Sequence, residues 1–267
     1  MLRLMDRFSC GILNKKLEGD HMGKRLNANH LKMIAIIAMT VDHAADLMFP
    51  GFPNNPIALV LHTVGRLTAP IMWFFVCEGF HYTSNLRKYL LRMFVFAIIS
   101  HFAYCFAFGI NPVPFSGGIL NQTSIIWPLF WAIVTLWILN NASMLRLWQK
   151  WLLIILINLI TFPADWSCIA VMAIASMYSN RGNLKKQIGS MMFWVAIYSV
   201  VSFFCVNKVY ALVQLGVILV YPLLSRYNGK KGTAKWMKWF FYLYYPAHLA
   251  VVGLIRLTIY GDIPLLF

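Results

Sequence analysis

The chain has 267 residues, of which 60% are hydrophobic and only 12% charged, and its mean hydropathy is +0.68. These values lie outside the range of soluble globular domains and predict a membrane protein. The net charge of +15 does not indicate a nucleic-acid partner, because the basic residues separate the apolar runs instead of forming one patch among stacking aromatic side chains.

Apolar runs of roughly 18 residues follow one another along the chain, each long enough to cross a hydrocarbon layer of about 30 Å as a helix. The alternation of a β-barrel is absent. We therefore predict an all-α, polytopic transmembrane helical bundle with about nine spans. They lie at residues 32–49, 57–80, 88–109, 123–140, 151–164, 166–179, 187–206, 209–225 and 238–259.

The domain organisation follows from the charge pattern. Residues 1–30 form a basic N-terminal segment without the apolar core of a signal peptide, so no cleavable leader is expected, and residues 31–267 form one transmembrane domain. If residues 1–30 are cytoplasmic, 20 of the 23 Lys and Arg residues fall on the cytoplasmic side. This positive-inside pattern predicts a cytoplasmic N-terminus.

Ionisable side chains inside the predicted spans are costly and therefore mark a candidate site. At 1.5 Å per residue, Asp42 and His43 lie roughly 15 Å from the cytoplasmic edge of the first span. Three residues on other spans reach a similar depth, namely Arg66, His101 and His248. We predict that four helices bring these side chains to one plane near the middle of the bilayer.

Helical spacing adds two residues to this set. Asp46 shares a face of the first helix with Asp42 and His43, so it can orient His43, and His62 lies one turn from Arg66. Burial is least costly if Arg66 pairs with Asp42 or Asp46. A structural ion pair that only fixes helix register is the alternative, but three histidines at one depth favour a titratable site.

Other polar residues lie near the predicted helix ends. We expect His81, Arg87 and Lys88 to be the neighbours of Glu78. Glu78 is either part of the functional site or an interfacial acid that pairs with a basic loop. Asp165 is either the N-cap of a helix or a residue that takes part in the chemistry of the site. The motifs of zinc proteases, P-loops and serine hydrolases are absent, and we expect no bound metal.

An ordered set of motifs from residue 31 onwards resembles the TraX family, polytopic inner-membrane proteins named for the conjugative-pilus acetylase. The motifs are Val41-Asp-His43, Gly65-Arg-Leu-Thr-Ala-Pro70, Glu78-Gly-Phe-His-Tyr-Thr83, Lys88-Tyr-Leu-Leu-Arg92, His101-Phe-Ala-Tyr104 and Tyr244-Tyr-Pro-Ala-His-Leu249. The chain departs from the pattern where many members have a glycine, at Ala44-Ala45-Asp46, and residues 117–122 fit it loosely.

The resemblance implies a membrane acyltransferase domain that transfers an acetyl group from acetyl-CoA. The acceptor it implies is an envelope molecule: a pilin or peptide N-terminus, a glycan or a lipid. The resemblance maps the family's Asp-His, Arg and late His onto Asp42-His43, Arg66 and His248. Our hypothesis is that His43 is the general base, Asp42 or Asp46 orients it, and Arg66 or His248 stabilises the oxyanion. The expected contacts of CoA are at Glu78, His81, Arg87 and Lys88, with Arg92 and Lys235 as further phosphate ligands.

Two other functional classes fit the polar set. A proton-coupled transporter or exporter also uses Asp, His and Arg residues at the midplane, although the chain shows no inverted repeat. A purely structural assembly factor would tolerate apolar residues at His43 and Arg66.

Overall fold

The computed structural model describes residues 25–51, 53–113, 120–141, 145–205, 207–234 and 236–265. Within these ranges the chain forms helices and two isolated β-bridges, and no strand. The prediction of an all-α fold is therefore confirmed. The basic segment predicted at residues 1–30 lies outside the described residues up to residue 24, as does Lys235.

The helices are α1 (Ala28–Met48), α2 (Pro56–Gly65), α3 (Thr68–Tyr82), α4 (Leu86–Phe108), α5 (Ile126–Asn140), α6 (Leu147–Thr161), α7 (Ser167–Ser179), α8 (Leu184–Cys205), α9 (Lys208–Gln214), a 3-10 helix (Leu215–Val220), α10 (Tyr221–Ser225) and α11 (Met237–Tyr260). Helix α2 continues into α3, and α9 continues through the 3-10 helix into α10. The described part of the chain thus contains nine helical stretches.

Five of these stretches are long and apolar enough to cross a membrane, at 56–82, 86–108, 184–205, 208–225 and 239–260. Helices α5, α6 and α7 are apolar but shorter, and α1 has 21 residues that include charged ones. Many large hydrophobic side chains face outwards, as lipid contact requires, while a second set forms the core of the bundle. The protein is a multi-pass membrane protein.

The second span is broken at Arg66 and Leu67, between α2 and α3. The helix breaks here because Pro70 has no N–H to donate to the carbonyl of Arg66 one turn earlier. Pro70 lies in the first turn of α3, where a missing N–H costs nothing. The proline therefore places Arg66 in a bend of the span instead of in a regular helix.

The bundle has a basic end and an end with few charged residues. At the basic end, the start of α1 is joined to residues 226–230, where Leu26 N donates to Arg226 O (3.1 Å) and Ala28 N to Lys230 O (2.9 Å). At the opposite end, which we call the neutral end, Gln122 N donates to Pro163 O (2.7 Å). The connections alternate between the two ends as the charge pattern predicts.

Candidate functional site

A cleft near the neutral end is lined by five Asp, His and Arg residues. Its interior has about 80 Å³ of space for water-sized molecules. Its walls come from α1, α4, α8, α9, the bend after α2 and the connections that precede α5 and α7. The lining residues are Asp42, His43, Asp46, Arg66, Tyr104, Phe108, Asn121, Asp165, Trp166, Tyr198, Ser202, Tyr210 and Gln214.

Asp42 joins α1 to α2 through both carboxylate oxygens. His62 Nδ1 donates to Oδ1 at 2.7 Å, and Arg66 Nη1 donates to Oδ2 at 3.3 Å. Asp46, one turn further along α1, has its Oδ1 3.9 Å from His62 Nε2. Arg66 is thus paired with Asp42, and both lie on one wall of the cleft with only 14% of each side chain exposed.

His43 has a different partner from the one expected. Its Nδ1 lies 2.8 Å from His248 Nε2, and His248 Nδ1 lies 3.0 Å from the carbonyl oxygen of Tyr244. Among the described residues, no hydrogen bond joins His43 to Asp42 or Asp46, so the expectation that a carboxylate orients His43 is wrong. The carboxylate of Asp42 faces α2 because its hydrogen bonds with His62 and Arg66 hold it there.

His248 is 8% exposed and uses both ring nitrogens in these contacts. A neutral His248 in these contacts therefore has no N–H left for the oxyanion that the sequence analysis assigned to Arg66 or His248. Arg66 retains donors, because its Nε is buried and has no hydrogen-bond partner among the described residues. The guanidinium of Arg66 is the better donor to a developing negative charge in the cleft.

His101 does not line the cleft. Its Nδ1 lies 2.9 Å from Thr123 Oγ1 and its Nε2 lies 2.9 Å from the carbonyl oxygen of Pro112. Both partners belong to the connection between α4 and α5, which folds back onto His101. On α4, the side chains that reach the cleft are Tyr104 and Phe108. Depth along a helix does not specify which side of that helix faces the cleft.

The turn between α6 and α7 adds an acid and an aromatic ring to the cleft. Trp166 and Ser167 have φ angles of 61° and 51°, in a region that L-residues with side chains rarely adopt. Asp165 N donates to Thr123 O at 2.8 Å, which fixes the turn against the neighbouring connection. The N-cap of α7 is Trp166, not Asp165, so the carboxylate of Asp165 lines the cleft instead of capping a helix.

An aromatic pair of the cleft packs beside Arg66. Its guanidinium lies 5.9 Å from the ring centre of Trp166, and Trp166 stacks on Tyr198 at 5.2 Å. Sequence reasoning missed this aromatic wall, as well as Asn121, Ser202, Tyr210 and Gln214. Only Tyr104 had a signal, since it belongs to the His101-Phe-Ala-Tyr104 motif.

The expected cofactor-binding residues lie at the basic end, far along α3 and α4 from the cleft. Glu78 forms two hydrogen bonds with Arg181, at 2.8 Å and 3.4 Å, and not with His81, Arg87 or Lys88. Burial alone would lower the pKa of Arg181, but its hydrogen bond and charge interaction with Glu78 raise the pKa above its ordinary value. This pair links α3 to the connection between α7 and α8.

The side chains of His81, Arg87 and Lys88 are exposed at the same end. Arg92, one turn into α4, lies 6.0 Å from the ring of Tyr89. The exposed side chains of Arg87 and Lys88 are available to an anionic ligand, whereas the Glu78 carboxylate would repel one.

The family model described as "TraX protein" matches residues 27–256. The chain belongs to the TraX family. The match includes every residue that lines the cleft. A curated TraX-like relative is the probable fimbrial assembly protein FimC, serogroup H1, of Dichelobacter nodosus, which is 29% identical over 233 residues, covering 85% of this chain and 94% of the relative. No solved structure matches the chain.

Proposed function

We propose that this TraX-family protein is an acetyl-CoA-dependent acetyltransferase of the bacterial inner membrane. The observation that carries the proposal is the meeting of His43 and Arg66 in one cleft, a potential base beside a guanidinium with an unpaired Nε. Acyl transfer needs both groups, a base for the incoming nucleophile and a donor for the oxyanion.

In this reaction His43 removes a proton from the acceptor nucleophile, which attacks the carbonyl carbon of the thioester. The oxygen of the tetrahedral intermediate carries the negative charge, and Arg66 donates hydrogen bonds to it. The C–S bond then breaks, the CoA thiolate leaves, and the proton held by His43 returns to the sulfur. Asp42 keeps Arg66 in place through the 3.3 Å hydrogen bond.

The charges of the cleft favour an amine as the acceptor. Three carboxylates, those of Asp42, Asp46 and Asp165, line the cleft with one guanidinium. An ammonium group entering the cleft is attracted to these acids. It gives one proton to a carboxylate of the cleft, and the neutral amine that results is the nucleophile from which His43 takes the second proton. The name of the relative links that protein to fimbrial assembly, which agrees with an acceptor among envelope proteins or peptides.

The proposed topology has nine spans, with the basic end in the cytoplasm, as the positive-inside rule favours. The phosphates of acetyl-CoA would then meet Arg87, Lys88 and Arg92 at the cytoplasmic end of α4. The cleft lies near the other end, because Asn121 and Asp165 come from connections at the neutral end. The donor therefore has to extend its acetyl group through the bundle towards His43.

The test uses protein purified in nanodiscs, radiolabelled acetyl-CoA and two matched peptides, one with a free N-terminus and one blocked. We expect transfer to the free peptide, and a fall of about 100-fold or more in His43→Ala at unchanged expression. His30→Ala, an exposed histidine at the start of α1, is the control and should match the wild type.

Wild-type protein that neither transfers acetyl groups nor is thermally stabilised by CoA would contradict the proposal. Full turnover by His43→Ala would remove His43 from the reaction. Labelling of a glycan or lipid in place of the peptide would retain the enzyme class and overturn the preference for an amine.

A further inference from the structure

The contact between His43 and His248 is made edge to edge. The two ring planes are parallel within 1° and their centroids are 5.0 Å apart, while His43 Nδ1 and His248 Nε2 are only 2.8 Å apart. Because the nitrogens are much closer than the centroids, the rings meet nitrogen to nitrogen. This geometry is a directional hydrogen bond with one proton between the two rings.

The carbonyl of Tyr244 decides where that proton resides. A carbonyl oxygen can only accept, so His248 Nδ1, at 3.0 Å from it, carries a hydrogen. In the neutral ring of His248 the other nitrogen, Nε2, is then an acceptor. The hydrogen of the shared bond must therefore belong to His43 Nδ1.

The same reasoning determines the free nitrogen of His43. A neutral imidazole has one N–H, and in His43 that N–H is on Nδ1, so Nε2 keeps its lone pair. No described residue forms a hydrogen bond with His43 Nε2, and His43 is part of the cleft lining. The ring presents a base to the cleft only in this tautomer.

Two further contacts hold His248 in this orientation. The ring of Tyr244 stacks on His248 at 5.2 Å with planes 10° apart. The hydroxyl of Tyr244 is 2.8 Å from Thr40 Oγ1, which donates to Ile36 O at 2.9 Å. Since the Thr40 hydrogen is used by Ile36, the Tyr244 hydroxyl donates to Thr40, and α11 is bound to α1 beside the two histidines.

We propose that His248 is a positioning residue, which fixes the Nδ1–H tautomer of His43 so that the Nε2 lone pair faces the acceptor. The inference rests on the proposed function for its catalytic meaning, but the tautomer itself can be observed without turnover. It differs from the oxyanion role expected for His248 from the sequence, because both nitrogens of the ring are already engaged.

The variants separate positioning from simple packing. In His248→Ala, the Nδ1–H of His43 loses its acceptor, and we expect kcat to fall about 100-fold with little change in the KM for acetyl-CoA. His248→Gln offers an amide oxygen to His43 and an amide N–H to Tyr244 O. We expect the kcat of His248→Gln to be at least about tenfold higher than that of His248→Ala. His30→Ala is the matched histidine control.

Solid-state 15N NMR of the histidine-labelled protein in lipid reads the tautomer directly, with only seven histidines in the chain and His43→Gln for assignment. We expect protonated Nδ1 and bare Nε2 for His43 in the wild type and in His248→Gln, and loss of that state in His248→Ala. A wild-type His43 protonated on Nε2, or a His248→Gln as inactive as His248→Ala, overturns the inference. Absence of acetyl transfer in the wild type overturns the proposed function instead, since the NMR result does not depend on it.

Discussion

Gly65 of α2 lies directly against the side chain of Asp42 on α1, with no room between them for a Cβ atom. The close approach lets Asp42 reach both His62 and Arg66, which lie three residues before and one residue after Gly65. Glycine is required here because of the lack of space and not because of the backbone, whose φ angle is one that other residues also adopt. The crossing of α1 and α2 at this point builds one wall of the cleft.

Gly65→Ala should therefore disturb the site although it changes only one methyl group. The added Cβ overlaps the Asp42 side chain, so α1 and α2 must move apart, at a cost of about 1–3 kcal/mol in the free energy of unfolding. We expect a lower melting temperature in detergent and at least a tenfold loss of acetyl transfer, because Arg66 loses its anchor.

Gly189→Ala is the matched control. Gly189 lies within α8, and a Cβ there would meet no atom within 4 Å. The substitution should leave activity unchanged and raise helix stability slightly. Equal effects of the two substitutions would show that the Gly65–Asp42 contact has no special importance.

Helical spacing was sufficient to predict the part of the site that α1 and α2 contribute. Asp42 and Asp46 are one turn apart, as are His62 and Arg66, so two polar faces had to meet. The same reasoning failed for His101, because its partners lie in an irregular connection that no periodicity describes.

Depth placed His43 and His248 in one plane, but their hydrogen bond could not be predicted, and neither could the pairing of Glu78 with Arg181. Glu78 meets Arg181 across 103 residues, and His43 meets His248 across 205. Nothing in local spacing distinguishes Arg181 from the nearer cations Arg87 and Lys88. These contacts depend on how the helices are arranged in the bundle, which is decided by packing of side chains that are nearly all apolar.

The ion pair of Arg66 and Asp42 gives a second prediction. Arg66→Met leaves the Asp42 carboxylate in the cleft without its cation, which should cost about 3–5 kcal/mol of stability. Adding Asp42→Asn removes the stranded charge while an amide oxygen still accepts from His62. We expect the double variant to melt at a higher temperature than Arg66→Met alone, measured by thermal unfolding in detergent.

Both variants should lack acetyl transfer, since neither has a guanidinium for the oxyanion. A double variant that melts below Arg66→Met would mean that Asp42 is held mainly by His62. Activity in either variant would assign the oxyanion to another donor.

The pair of Glu78 and Arg181 gives a third prediction, on the role of the basic end. Glu78→Arg and Arg181→Glu should each lower the melting temperature, and the exchanged double variant should recover part of the loss, with a coupling energy of about 1 kcal/mol. Glu78→Gln should leave the KM for acetyl-CoA unchanged, because its carboxylate is already engaged by Arg181. A large rise in that KM would instead return Glu78 to the cofactor site.

The orientation of the bundle is the fourth prediction, and it decides from which side the cleft is reached. Ser84 is exposed in a connection at the basic end and Asn54 is exposed in a connection at the neutral end. In intact cells, a membrane-impermeant maleimide should label Asn54→Cys, and it should label Ser84→Cys only after permeabilisation. The parent protein measures the background from the native cysteines, of which Cys205 is exposed. The reverse pattern would place the neutral end in the cytoplasm, and acceptor and acetyl-CoA would then approach His43 from the same side.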